Sequence, residues 1–134
     1  MIYLLDTNTV SQWMSPQPGS IQDKIDAVIE YGNQIGISQP VYYEVIRGLL
    51  KRDARRRIAI LQNKIMPLIT YVQVEEADWL KAAQFWADAD NKGRQLSDID
   101  LLIAALAHRL DAVIVSSDTD FDALPVKREN WRTL

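Results

Sequence analysis

Cysteine is absent from this chain of 134 residues. Disulfide scaffolds, thiolate metal sites and cysteine nucleophiles are excluded together. Histidine occurs once, as His108, which leaves no His-rich zinc site and little room for a Ser-His-Asp triad. Any bound metal would therefore have oxygen ligands. No apolar run approaches the length of a membrane span, and Met1-Ile2-Tyr3-Leu4-Leu5-Asp6 carries neither a basic region nor a cleavage site. A cytoplasmic protein with no membrane partner is expected. Positive charge is not in excess, since 15 Lys and Arg stand against 18 Asp and Glu for a net charge of -3. That argues against general attraction to nucleic acid, although net charge conceals local clusters. Repeats, low-complexity tracts and linkers are also lacking, so one domain over residues 1–134 is expected, large enough for a core without staples.

What the chain does contain is a regular alternation of short apolar runs and helical patterns. Ile2-Leu5, Ile35-Ser38, Leu68-Val72 and Ala112-Val115 read as strands, with a last one near Pro125-Val126-Lys127. Helices are predicted from about Thr7, over Ile21 to Ile29, from Pro40, through Ile58 to Ile65 with Pro67 closing it, over Glu75 to Asn91, and from Ser97. The fold class is therefore α/β, a mostly parallel sheet of four to five strands between helical layers. The helix after Ser97 is apolar from Leu101 to Ala107 and should be buried almost all round.

Acids fall at informative places in this pattern. Asp6 and Asp118 each follow a buried strand, where open α/β sheets bind their ligands. Asp98 and Asp100 open the buried helix, at the edge of a core where like charges crowd. Each position also has an ordinary explanation: Asp6 caps a helix, Ser97-x-x-Asp100 is a capping pattern, and Ser116 to Asp122 has turn chemistry. Together they suggest a hard divalent cation. Mg²⁺ takes a few carboxylates, keeps several waters and meets substrate phosphates, the requirements of metal-dependent phosphodiester cleavage.

The same residues carry a resemblance. Leu4-Leu5-Asp6-Thr7-Asn8, Tyr43-Glu44-Val45-Ile46-Arg47-Gly48, Asp100-Leu101-Leu102-Ile103-Ala104-Ala105 and Ser117-Asp118-Thr119-Asp120-Phe121 resemble the motifs of PIN domains, and within those the VapC-type toxin ribonucleases. The resemblance runs in order along the whole chain. It implies a PIN-like α/β/α fold and an endoribonuclease whose Asp6, Glu44, Asp100 and Asp118 surround Mg²⁺ or Mn²⁺. Asp6, Asp100 and Asp118 would hold the metal; Glu44, otherwise an ordinary helix carboxylate, owes its place to the resemblance alone. Thr7 and Asn8 are secondary candidates for bonding a phosphate or a ligand carboxylate. Asp98 and Asp120 are alternates to Asp100 and Asp118; residues two apart on a helix point about 200° apart, so Asp98 and Asp100 cannot serve one ion equally. The resemblance further implies RNA as substrate, homodimers and a small antitoxin partner.

Other readings bear on the same features. An aspartate-based phosphatase or phosphoacceptor domain also places Asp after a first strand, but usually as Asp-x-Asp rather than Asp6-Thr7-Asn8. A catalytically inactive PIN-like domain that only binds a partner would keep the acids. Lys51-Arg52-Asp53-Ala54-Arg55-Arg56-Arg57 is the densest basic run, and if helical it would form two rows, Lys51 with Arg55 and Arg52 with Arg56. It suits a solvated helix surface or a turn between helices, and also a surface that meets a phosphate backbone or an acidic partner. Trp79, Ala82, Ala83 and Trp86 share one helical face and read as core or dimer interface.

Overall fold

A computed structural model of the chain describes residues 1–132. Five parallel strands form one sheet: β1 (Ile2–Leu5), β2 (Gln34–Ser38), β3 (Thr70–Val72), β4 (Val113–Val115) and β5 (Lys127–Glu129), in the spatial order β3-β2-β1-β4-β5. The helices are α1 (Thr7–Met14), α2 (Ser20–Glu30), α3 (Gln39–Lys51), α4 (Arg55–Ile60), α5 (Glu76–Asn91) and α6 (Asp98–Leu110). The chain steps from β1 outward to β2 and β3, then returns across β1 to β4. Helices connect β1 to β2, β2 to β3 and β3 to β4, as parallel pairing requires, giving the expected α/β architecture.

Local chemistry sets most of the boundaries. Asp6, Ser38 and Ser97 each accept a backbone N–H three residues on and so cap α1, α3 and α6. Pro40 stands in the first turn of α3, where a missing N–H is harmless. Leu101 to Ala107 of α6 are all buried, and the helix packs against β1, β4, α3 and α5. Its far end is tied to α5 by Arg109, whose guanidinium Nε donates to the buried Asp78 at 3.0 Å. Side chains from every layer, including Leu4, Ile37, Val45, Phe85, Ile103 and Phe121, join one hydrophobic cluster.

The structure corrects several details. Pro67 does not close an α-helix: α4 passes into a π turn (Leu61–Ile65) and then a 3-10 turn (Met66–Leu68) that contains the proline. Leu68 and Ile69 are consequently outside β3. The last strand begins at Lys127, because Pro125 cannot donate to a ladder. The basic run is not one helix, since α3 ends at Lys51, Asp53 takes a left-handed turn at φ 51° and α4 starts at Arg55. Two continuous cationic rows are ruled out by that turn. Trp79 and Trp86 are 58% and 56% exposed, so they are not core.

Gly36 in β2 marks the tightest layer of the sheet. A Cβ there would stand 2.8 Å from Leu4 Cδ2 and 3.0 Å from Ile2 Cγ2, and Leu4 is itself fully buried. Gly36→Ala is expected to lower stability by about 1–3 kcal/mol through overpacking. A thermal melt checks this, and an unchanged Tm would show that Leu4 can give way.

Candidate active site

The strand order reverses between β1 and β4, which makes their carboxyl ends the place where an open α/β sheet forms a crevice. Those ends are joined directly. The Asp6 N–H donates to the Val115 carbonyl at 3.1 Å, and the Thr9 hydroxyl donates to the same oxygen at 3.1 Å. Asp6 is buried, with one carboxylate oxygen accepting the Thr9 N–H at 2.8 Å, so its cap bond holds it at the crevice. Beyond β4, Asp118 caps the 3-10 turn Thr119–Ala123 by accepting the Asp120 N–H at 2.9 Å, and its own N–H donates to Ser116 Oγ at 3.0 Å. Glu44 reaches the crevice from α3 and receives a short hydrogen bond from the Thr7 hydroxyl. Asp100 enters from the first turn of α6, its N–H bonded to Ser97 Oγ at 3.1 Å.

Asp100 senses the other three carboxylates. Burial pushes Asp100 up from 3.8 to about 6; the Ser97 hydrogen bond opposes the rise, and Asp118, Asp6 and Glu44 each add to it by repulsion. Four parts of the chain spanning more than a hundred residues thus supply one electrostatic cluster. Its donors are all oxygen, the set that hard cations prefer. Among the described residues, no three His, Cys, Asp or Glu side chains converge closely enough to hold an ion by themselves. The arrangement suits a cation that keeps several waters and leans on one or two carboxylates together with its substrate, as Mg²⁺ does, and not one enclosed by protein.

The secondary candidates separate. Thr7 is joined to the cluster through Glu44, and Asn8 lies exposed on the same first turn of α1. Asp98 does not join it: the side chain lines a groove of about 430 Å³ with Trp79, Ala82, Ala83, Trp86, Leu101 and Leu102. Asp120 pairs with Arg94 at 3.0 Å. Sequence reasoning overlooked Arg47, whose guanidinium lies 3.4 Å from Glu44 Oε2 and 5.0 Å from the centre of the Tyr43 ring. The i, i+3 spacing to Glu44 was the available signal.

The sequence pattern of the PIN domain matches residues 3–127. The chain belongs to the PIN-domain family. Solved structures similar to this PIN domain include VapBC2 from Rickettsia felis bound to a DNA fragment from their promoter, 23% identical with a TM-score of 0.84 over 98% of this chain and 100% of that one. FitAcB from Neisseria gonorrhoeae is 26% identical with a TM-score of 0.82, covering 97% of each chain. VapC20 of Mycobacterium tuberculosis, a sarcin-ricin loop cleaving toxin, is 15% identical with a TM-score of 0.70, over 92% of this chain and 95% of that one. No curated protein sequence matches the chain.

Away from the acids, Arg56 and Arg57 from the basic run and Lys64 from the π turn border a groove of about 550 Å³ with Trp13, Met14, Ile60 and Leu68. The cations there flank an apolar surface.

Asp100 has a measurable consequence of its own. Its folded pKa of about 6 lies above the ordinary 3.8. The group is therefore protonated in both folded and unfolded chains at low pH, and its burial costs stability only as pH rises through that window, fully above about 6. In EDTA at neutral pH, Asp100→Asn should melt a few degrees above the wild type, with the gap closing as pH falls from about 6 towards 4. A pH-independent gap would mean that burial and its neighbours do not raise the Asp100 carboxyl.

Proposed function

We propose that this PIN-domain chain is an endoribonuclease that hydrolyses RNA phosphodiester bonds with Mg²⁺ or Mn²⁺. We further propose that it acts in the cytoplasm as a homodimeric toxin restrained by a small antitoxin protein. The observation that carries the reading is the gathering of Asp6, Glu44, Asp100 and Asp118 at the switch point of the sheet, where burial, and after it repulsion from the other three, raises Asp100 to about 6. The PIN match and the named structural relatives, which are VapBC2, FitAcB and the sarcin-ricin loop cleaving toxin VapC20, support the same class of activity. No helix among the described residues is long and apolar enough to cross a membrane.

Asp6, Asp100 and Asp118 are the residues that would hold the cation, one or two of them directly and the rest through its waters; the Thr9 N–H fixes the Asp6 carboxylate, Ser97 fixes the Asp100 backbone and Thr7 fixes Glu44. When bound, the cation lowers the pKa of a water and offsets charge on the phosphoryl oxygens. Glu44 stands where a carboxylate can orient an attacking water, with one oxygen on Thr7 and the other turned towards Arg47. An aspartyl phosphatase reading fits less well. Asp6 is buried and occupied as a cap, and the second Asp such enzymes use is replaced by Asn8. Trp79 and Trp86, exposed beside Asp98, offer a surface for the second copy. The cationic apolar groove suits an acidic amphipathic segment of the antitoxin.

A labelled RNA incubated with the purified chain tests the proposal. Cleavage should require Mg²⁺ or Mn²⁺ and stop in EDTA. Asp100→Asn should reduce the rate by about 100-fold or more, the scale of losing a metal-site group, whereas Asp98→Asn should stay near wild type. Cleavage by metal-stripped protein, or the reverse ranking of the two variants, would refute this assignment.

A further inference from the structure

Resting on that reading, we infer that Arg47 positions the substrate: its guanidinium takes a phosphate of the bound RNA at the rim of the acidic cluster. A crevice lined by carboxylates repels the polyanion it must hold, so a cation has to meet the backbone beside it. The other arginines near this edge are committed. Arg128 makes two bonds of 2.9 Å to Asp122 and one of 3.1 Å to the Ser116 carbonyl, and Arg94 pairs with Asp120 at 3.0 Å.

Arg47 is held differently. Its contacts to the Tyr43 hydroxyl and to Glu44 are both 3.4 Å, and its side chain is 54% exposed. An exposed ion pair of that length contributes little, so exchanging it for a phosphate costs little. The Tyr43 ring, 5.0 Å from the guanidinium carbon, gives the group a platform beside Glu44. Five N–H donors in a planar fork match phosphate oxygens, and two long contacts leave most of them free. The placement follows from α3, on which Tyr43, Glu44 and Arg47 share one side by i, i+3 and i, i+4 spacing.

The test is binding of a labelled single-stranded RNA to the full chain in EDTA over a salt series, with KM and kcat measured in Mg²⁺. Arg47→Gln should weaken binding by about tenfold, as expected for a charge-assisted hydrogen bond, and reduce the salt slope by about 0.7 for one phosphate lost. KM should rise more than kcat falls. Arg47→Lys should restore the slope and part of the affinity. Wild-type affinity and slope in Arg47→Gln would overturn the inference, as would Arg47→Lys binding as weakly as Arg47→Gln, or a fall confined to kcat, which would mean that Arg47 acts only through Glu44. Failure of the nuclease reading is distinguishable, because the wild type itself would then neither bind nor cut the RNA.

Discussion

The pairing of β1 with β4 brings the start of the chain against a strand more than a hundred residues later, and its last bond, from the Asp6 N–H to the Val115 carbonyl, closes the floor of the crevice. Thr9 reinforces that closure from α1 through the same carbonyl. Once the two ends are side by side, Asp6 and Asp118 must share a small space. The other acids arrive because β2 neighbours β1 and delivers α3, and because α6 packs on β1 and β4. The site is thus a product of strand order before it is a product of any one side chain.

The ordinary roles of the acids and their candidate chemistry turn out to be compatible. Asp6 caps α1, and that bond orients a buried carboxylate at the crevice. Ser97 caps α6 by accepting the Asp100 N–H, and its side chain also draws the Asp100 carboxyl back towards the ionised state, while burial and three neighbours push it the other way. Opposition of this kind is expected where a cation is meant to relieve repulsion. The helix behind Asp100 is buried from Leu101 to Ala107, so its first turn stands at the edge of the core.

Much of this was legible in the residues. Apolar runs at Ile2–Leu5 and Ala112–Val115 signalled buried parallel strands, the second beginning one residue later in the structure, and Ser97 marked the start of α6 to the residue. The strand order was not legible, because short apolar runs carry no record of their neighbours; the convergence of Asp6, Asp100 and Asp118 had to be inferred from topology rules. Glu44 had no local signal, since a carboxylate on a half-buried helix face looks the same whether or not its helix ends at a crevice. The basic run suited either a helix surface or a turn between helices, and its composition could not choose between them; the left-handed Asp53 between α3 and α4 makes it a turn. Trp79 and Trp86 had correct helical spacing, but periodicity reports a shared face and not whether anything in the same chain covers it.

The central claim is that four distant carboxylates form one interacting cluster, and the direct measurement is a carboxyl-carbon NMR titration of the metal-free protein. Asp100 should titrate near 6, and its midpoint should fall in Asp118→Asn and in Asp6→Asn as each neighbouring charge is removed. An Asp100 midpoint near the ordinary 3.8, indifferent to both substitutions, would contradict the account.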